Sequence, residues 1–135
     1  MNLVSIRIIT DNVALLASFY EHVTGGAAVY VNEQFAEVRT PSATIAIGST
    51  ATVVLFGPGS ARPADNHTAI IEFLVDDVDM EYLKLKEWVT TFVNEPTTMP
   101  WGNRSLLFRD PDGNLINLFT PVTPAAIEKF ATSAR

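Results

Sequence analysis

Apolar and polar positions change period along this chain in an order that occurs twice. Val4-Ser5-Ile6-Arg7-Ile8-Ile9 is rich in β-branched residues and reads as a strand. Asp11 stands where a helix N-cap belongs. Leu15, Leu16, Phe19 and Val23 recur at helical spacing, and Gly25-Gly26 supplies the stop. Short strands are predicted around 28–31, 35–38 and 43–47, and Thr52-Val53-Val54-Leu55-Phe56 reads as a further strand or an extended arm. Gly57-Pro58-Gly59-Ser60-Ala61-Arg62-Pro63 is the one linker-like stretch.

The order then returns. Residues 69–75 read as a strand, and Asp77 as the next N-cap. Tyr82, Leu83, Leu85, Trp88 and Val89 suit an amphipathic helix, with Trp88 assigned to the core. Strands follow around Thr90-Thr91-Phe92-Val93, Ser105-Leu106-Leu107-Phe108 and Leu115-Ile116-Asn117-Leu118-Phe119. A shift of about 66 positions lays Asp11 on Asp77, Ile9 on Val75 and Val23 on Val89, the pattern of an internal βαβββ duplication. The expected modules are 1–60 and 67–122. Thr123-Pro124 opens a C-terminal helix in 123–135, running to about Ala131. The fold class is therefore α+β: paired βαβββ modules forming a curved mixed sheet with a concave cleft. Strand alternation puts Ile71, Phe73 and Val75 under the second helix and turns Ile70, Glu72 and Leu74 towards the cleft.

Composition narrows the chemistry. With 135 residues and 47% hydrophobic content a packed core is feasible. The absence of cysteine excludes disulfides, thiolate metal sites and a cysteine nucleophile. The net charge is -6 and the nine Lys and Arg are scattered, so no basic stripe exists for nucleic acid. No apolar run approaches a membrane span, and Met1-Asn2-Leu3-Val4 leads into a strand pattern without a signal core. Cytoplasmic residence is the expectation. No G-x-S-x-G elbow, phosphate loop or nucleotide fingerprint is present.

Four motifs carry a family resemblance. They are Phe19-Tyr20-Glu21, Phe73-Leu74-Val75-Asp76-Asp77-Val78-Asp79, Met99-Pro100-Trp101-Gly102-Asn103-Arg104 and the turn Asp110-Pro111-Asp112-Gly113-Asn114. In this order and spacing, over about residues 3 to 122, the chain resembles the vicinal oxygen chelate superfamily. That superfamily includes glyoxalase I, bleomycin-resistance proteins and extradiol dioxygenases, and the Pro-Trp-Gly-x-Arg stretch is similar to that of bleomycin-resistance-like members. The resemblance implies a homodimer. It also implies four metal-ligand positions in the metal enzymes, which fall here on Val4, on Ala46 or Val54, on Ile70, and on Asn117 in place of a glutamate. From Met1 to Thr10 and from Pro41 to Ala64 there is no Asp, Glu, His or Cys, so no metal and no cofactor are expected. His22 reads as a half-solvated helix residue, and His67 lies three residues short of the ligand position.

The cleft is expected to be mostly apolar, with Val4, Ile6, Ile70, Leu74 and Phe119 against a few polar groups, as in small-molecule pockets. Glu72 is a candidate partner for a ligand cation, or a base if burial raises its pKa; otherwise it is a rim carboxylate, solvated or paired with Arg104. Asn117 can donate and accept, or serve neighbouring backbone. Trp101 either covers a planar ligand or plugs the core or a dimer contact, and Arg104 either orients a ligand or makes a surface salt bridge. The leading reading is a metal-free protein that binds a small organic molecule, an antibiotic or aromatic metabolite. The alternatives are a metal-independent lyase or isomerase with Glu72 as base, and a regulatory module.

Overall fold

The computed structural model describes residues 1–131; the last four residues of the expected 123–135 segment lie outside the described residues. The chain forms two compact units, Met1–Asn66 and a second one starting at His67. Each has the element order βαβββ followed by one short helix.

In the first unit, β1 (Ser5–Thr10) leads into α1 (Val13–Thr24), then β2 (Val29–Asn32), β3 (Phe35–Arg39) and β4 (Thr44–Ser49). The sheet order is β1-β4-β3-β2, parallel between β1 and β4 and antiparallel elsewhere. The N-cap of α1 is Asn12, not Asp11. The Asn12 side chain accepts a hydrogen bond from the Leu15 N–H at 3.0 Å, and Gly25 closes the helix in the left-handed conformation at φ 74°. The helix buries Val13, Leu16, Ala17, Tyr20 and Val23, whereas Leu15 points to solvent. These residues cover Ala36, Val38, Ile45 and Ile47, which alternate onto one face of β3 and β4.

Residues 52–56 do not form a strand. Thr50–Val53 is a single helical turn, α2, and Phe56 and Gly57 donate their N–H groups back to the Val53 carbonyl. Burial of Val53 and the Thr52 hydroxyl's bond to the Ser49 carbonyl at 2.7 Å hold the turn against the β-preference of its sequence.

In the second unit, β5 (Ile70–Leu74) leads into α3 (Val78–Leu85), then β6 (Thr97–Thr98), β7 (Asn103–Arg109) and β8 (Leu115–Pro121), and α4 (Pro124–Phe130) follows. The order is β5-β8-β7-β6 with the same mixed pattern. Asp77 caps α3 by accepting from the Asp79 and Met80 N–H groups, and Thr123 caps α4 with Pro124 in its first turn. Helix α3 ends at Leu85, earlier than its apolar pattern predicts. Trp88 lies beyond it in a turn at 37% exposure rather than in the core, while Val89 is buried. Residues 90–93 contribute only an isolated bridge, Phe92 to Phe108, with the Phe92 ring edge-on to Tyr82 and Phe108. The second strand of this unit in chain order is therefore β6.

The core of the second unit is Ile71, Leu106, Phe108, Ile116 and Leu118 under Val78 and Leu85. Truncating one such Leu or Ile to Ala costs about 2–5 kcal/mol, against about 1 kcal/mol for a lost cap. Packing therefore decides the fold, and the caps fix where each helix begins.

Two glycines separate conformational strain from crowding. Gly113 (φ 84°) has open space where a Cβ would stand, whereas at Gly102 (φ 96°) a Cβ would collide with the Thr123 side chain under α4. Gly113→Ala should cost about 1–2 kcal/mol from the left-handed backbone alone. Gly102→Ala should cost clearly more, read as the larger loss of denaturation midpoint.

Candidate functional site

The turn before β8 decides which way its side chains point. The buried Asp110 carboxylate accepts from the N–H groups of Asp112 and Asn114, both at 2.9 Å, and from the Asn114 side-chain amide at 2.8 Å. The Arg109 guanidinium donates to the Gly113 carbonyl at 2.9 Å. A carboxylate taken out of water needs such donors, and here they close the β7–β8 connection. Ile116 and Leu118 then enter the core, and Leu115, Asn117 and Phe119 take the opposite, open face.

Register lays that face out in rows. Ile70, Leu115 and Arg109 lie side by side across β5, β8 and β7; Glu72, Asn117 and Leu107 form the next row, and Leu74, Phe119 and Ser105 the third. Within the middle row the Asn117 Nδ2 donates to Glu72 Oε2 at 2.8 Å. A carboxylate only accepts, so this bond fixes the amide's orientation and leaves Asn117 Oδ1 buried with no donor among the described residues. The Ser105 hydroxyl and Asn103 Oδ1, on the same face, are also buried without a partner. Phe119 is itself covered, its ring edge-on to Phe130 of α4 at 5.1 Å, so it closes one end of the row rather than lying open. Ile70 stays half exposed.

One expected member of the site lies elsewhere. Arg104 alternates to the α3 face, opposite Asn117. It donates through Nε and Nη2 to both carboxylate oxygens of Asp79 at 2.8 and 3.0 Å, and through Nη1 to Thr98. Its partner is therefore Asp79 and not Glu72. This pairing, first through the hydrogen bonds, holds Asp79 below the usual aspartate range and Arg104 above the usual arginine value. Trp101 stands at the tip of the turn closed by Gly102 N–H to the Met99 carbonyl and is 68% exposed; it does not plug the core.

In the first unit, the true cap changes the alignment of the two modules. Asn12 and Asp77 are 65 positions apart, so Ser5, not Val4, matches Ile70, and Arg7 matches Glu72. Ile6 then falls on the face of Ile45 and Val38, the one covered by α1. Its 43% exposure comes from its place on an edge strand. The open face carries the rows Ser5–Thr44–Arg39, Arg7–Ala46–Glu37 and Ile9–Gly48–Phe35. Ala46 occupies the place that Asn117 holds in the second unit, which settles the choice between Ala46 and Val54, since Val54 lies after α2. Arg7, on this open face, is absent from the sequence-derived candidates. The signal was present: a lone guanidinium in a β-branched run, five residues before a capping side chain.

The four positions where the fold's metal enzymes place ligands thus carry a hydroxyl (Ser5), two hydrocarbons (Ala46 and Ile70) and an amide (Asn117). This donor set, without imidazole, thiolate or carboxylate, does not fit a transition-metal ion such as zinc. Among the described residues no three His, Cys, Asp or Glu side chains gather to hold one. His22 is exposed, with Nδ1 2.8 Å from the Ser18 carbonyl. No helix among the described residues is long and apolar enough to cross a membrane.

Two βαβββ units with an open sheet face define a class of proteins. The chain belongs to the Glyoxalase/Bleomycin resistance protein/Dioxygenase superfamily, whose family model matches residues 2–118. A solved structure of a member of that superfamily from Sphaerobacter thermophilus is 27% identical and covers 89% of this chain and 97% of its own at a TM-score of 0.69. A glyoxalase/bleomycin resistance protein/dioxygenase family enzyme from Burkholderia phytofirmans is 17% identical, covers 90% of this chain and 100% of its own, and reaches a TM-score of 0.80, a likeness of fold. The "Uncharacterized protein YwbC" of Bacillus subtilis (strain 168) is 36% identical over 64 residues. This is 47% of this chain and 51% of that protein, so the match spans about half the relative's length.

Two outcomes follow from these contacts. An aspartate pKa depressed in the folded state stabilises above its unfolded value, and that contribution fades as pH falls through the folded value. The melting-temperature gap between wild type and Asp79→Asn should therefore be present at pH 7 and close below pH ~4. A buried carbonyl without a donor costs about 1–3 kcal/mol. Asn117→Leu should accordingly leave stability to denaturant unchanged or raised.

Proposed function

We propose that this protein is a metal-free binder of a small organic molecule, held on the open face of the second sheet, and that it works as a homodimer in the cytoplasm. Glu72 and Asn117 supply the polar groups, Ile70, Leu107 and Leu115 the apolar surround, and Trp101 an exposed ring for a planar ligand. Arg104 is outside this set because it is committed to Asp79 on the other face. The observation that carries the reading is Asn117 Oδ1, an acceptor buried without a protein donor, beside an amide that fixes a carboxylate. A ligand N–H or O–H would satisfy it, and the exposed Glu72 oxygen would take a second donor or a cation. Proteins of this superfamily include bleomycin-resistance members, so an antibiotic or an aromatic metabolite is the ligand class, and sequestration needs affinity alone.

One observation favours a second reading. Asn117 engages only Oε2 of Glu72, which leaves Oε1 with no hydrogen bond from the described residues. A fixed carboxylate with one open oxygen is the arrangement of a general base, as a metal-independent lyase or isomerase would use.

Native mass spectrometry of protein freshly isolated from its producing organism tests the binding reading. The expected spectrum shows a dimer with a retained organic mass and no metal, and the mass is lost in Asn117→Leu. Stoichiometric metal would overturn it. In the same vein, Ni²⁺ or Zn²⁺ at equimolar concentration should leave the melting temperature nearly unchanged, because only a ligand of the native state raises it. Turnover of the retained molecule, abolished in Glu72→Gln with binding intact, would transfer the assignment to the second reading.

A further inference from the structure

We propose that Arg7, with Phe35 and Phe56, forms a site in the first unit for an organic carboxylate with a planar apolar body. All three residues belong to the first unit, and the argument for them uses nothing of the Glu72–Asn117 row.

Three observations carry this. First, the Arg7 guanidinium lies over two aromatic rings, 4.5 Å from the Phe35 centroid and 5.2 Å from that of Phe56. Contact with ring faces uses none of the N–H donors in hydrogen bonds, and the guanidinium fork matches the two oxygens of a carboxylate. Second, those donors have no acceptor among the described residues. Glu37, in the same row two strands away, is bonded to Arg39 at 3.0 Å, and no ion pair or hydrogen bond engages Arg7. A guanidinium in a strand of apolar neighbours, held by rings rather than by a counter-charge, is a fixed and unneutralised cation. Third, the surface beside it suits a flat apolar body. Ala46, next in the row, projects only a methyl group, and Phe56 follows α2 with 73% of its surface exposed. An aromatic acid would set its carboxylate on the fork and its ring along Phe56.

The ligand class follows from charge and shape together. A net charge of -6 disfavours anions at long range, so attraction has to be local, and a stacked Arg supplies it. An inorganic anion would use the fork but gain nothing from the exposed ring.

The test titrates 1-naphthoate, 1-naphthamide and inorganic phosphate into the full-length protein, followed by calorimetry and by ¹H–¹⁵N spectra. 1-Naphthoate is expected to bind and to shift the amides of β1 and α2. Binding should weaken at least about tenfold in Arg7→Met and in Arg7→Lys, since Lys keeps the charge but loses the fork. Phe56→Leu, at an exposed position that leaves the core intact, should weaken it about threefold. The amide and phosphate should bind far more weakly than the acid. Unchanged naphthoate affinity in Arg7→Met, or equal affinity for the acid and its amide, would overturn the proposal. So would a change of subunit number in Arg7→Met with no naphthoate binding to wild type, which would give the guanidinium to a second copy. Loss of naphthoate binding in Asn117→Leu but not in Arg7→Met would also overturn it, while leaving the site on the second sheet standing.

Discussion

The side-chain parity of the strands is the constraint on which everything else rests. A strand has period two, so one residue of slip sends the whole apolar set to the wrong face. In the second unit the Asp110 carboxylate sets that parity. It ties together the N–H groups of Asp112 and Asn114 and the Asn114 amide, so β7 and β8 can pair in only one register. Leu106, Phe108, Ile116 and Leu118 pack under α3 as a result, and Asn117 faces Glu72 across the sheet. The same few bonds that close a turn therefore place the polar pair of the site.

Legibility in the sequence followed the same logic. In the second unit β5, the Asp77 cap and the β7–β8 hairpin could be read, because Asp77 is a strong cap and Asp-Pro-Asp-Gly signals a tight turn, whereas the end of α3, Trp88 and the strand at Thr97–Thr98 could not. The first unit offered two adjacent capping side chains, Asp11 and Asn12, of nearly equal propensity. Choosing the first moved the module alignment by one residue, which put Ile6 on the open face and hid Arg7. The structure uses Asn12, with the Thr10 hydroxyl accepting from the Asn12 N–H at 3.1 Å, and the parity reverses. Other features depended on contacts distant in sequence. Nothing local distinguishes Asp79 from Glu72 as the partner of Arg104, because face, and not sequence separation, decides the pairing. Residues 52–56 carry strand propensity, yet one turn of helix buries Val53 and lets Phe56 reach Arg7.

Aligned on their caps, the two modules show which positions match and which differ. The helix-facing positions keep their apolar character: Ile6 and Ile71, Ile8 and Phe73. The open-face position five residues before each cap diverges completely, with Arg7 in one copy and Glu72 in the other. The positions that could have carried metal ligands have become Ser5, Ala46, Ile70 and Asn117. An open face bears little of the packing, so its chemistry can change sign without loss of the fold.

That freedom makes the remaining polar atoms on the open face informative. A sheet that only needed to fold would fill the position of Asn117 with Leu or Val, as its neighbours Leu115 and Leu107 do. An amide there keeps an acceptor buried without a donor, at a cost of about 1–3 kcal/mol. The bond from Asn117 to Glu72 does not offset this, because Glu72 is exposed and water would serve it as well. An unsatisfied acceptor where hydrocarbon would serve the fold equally well is the feature from which the proposed binding reading starts.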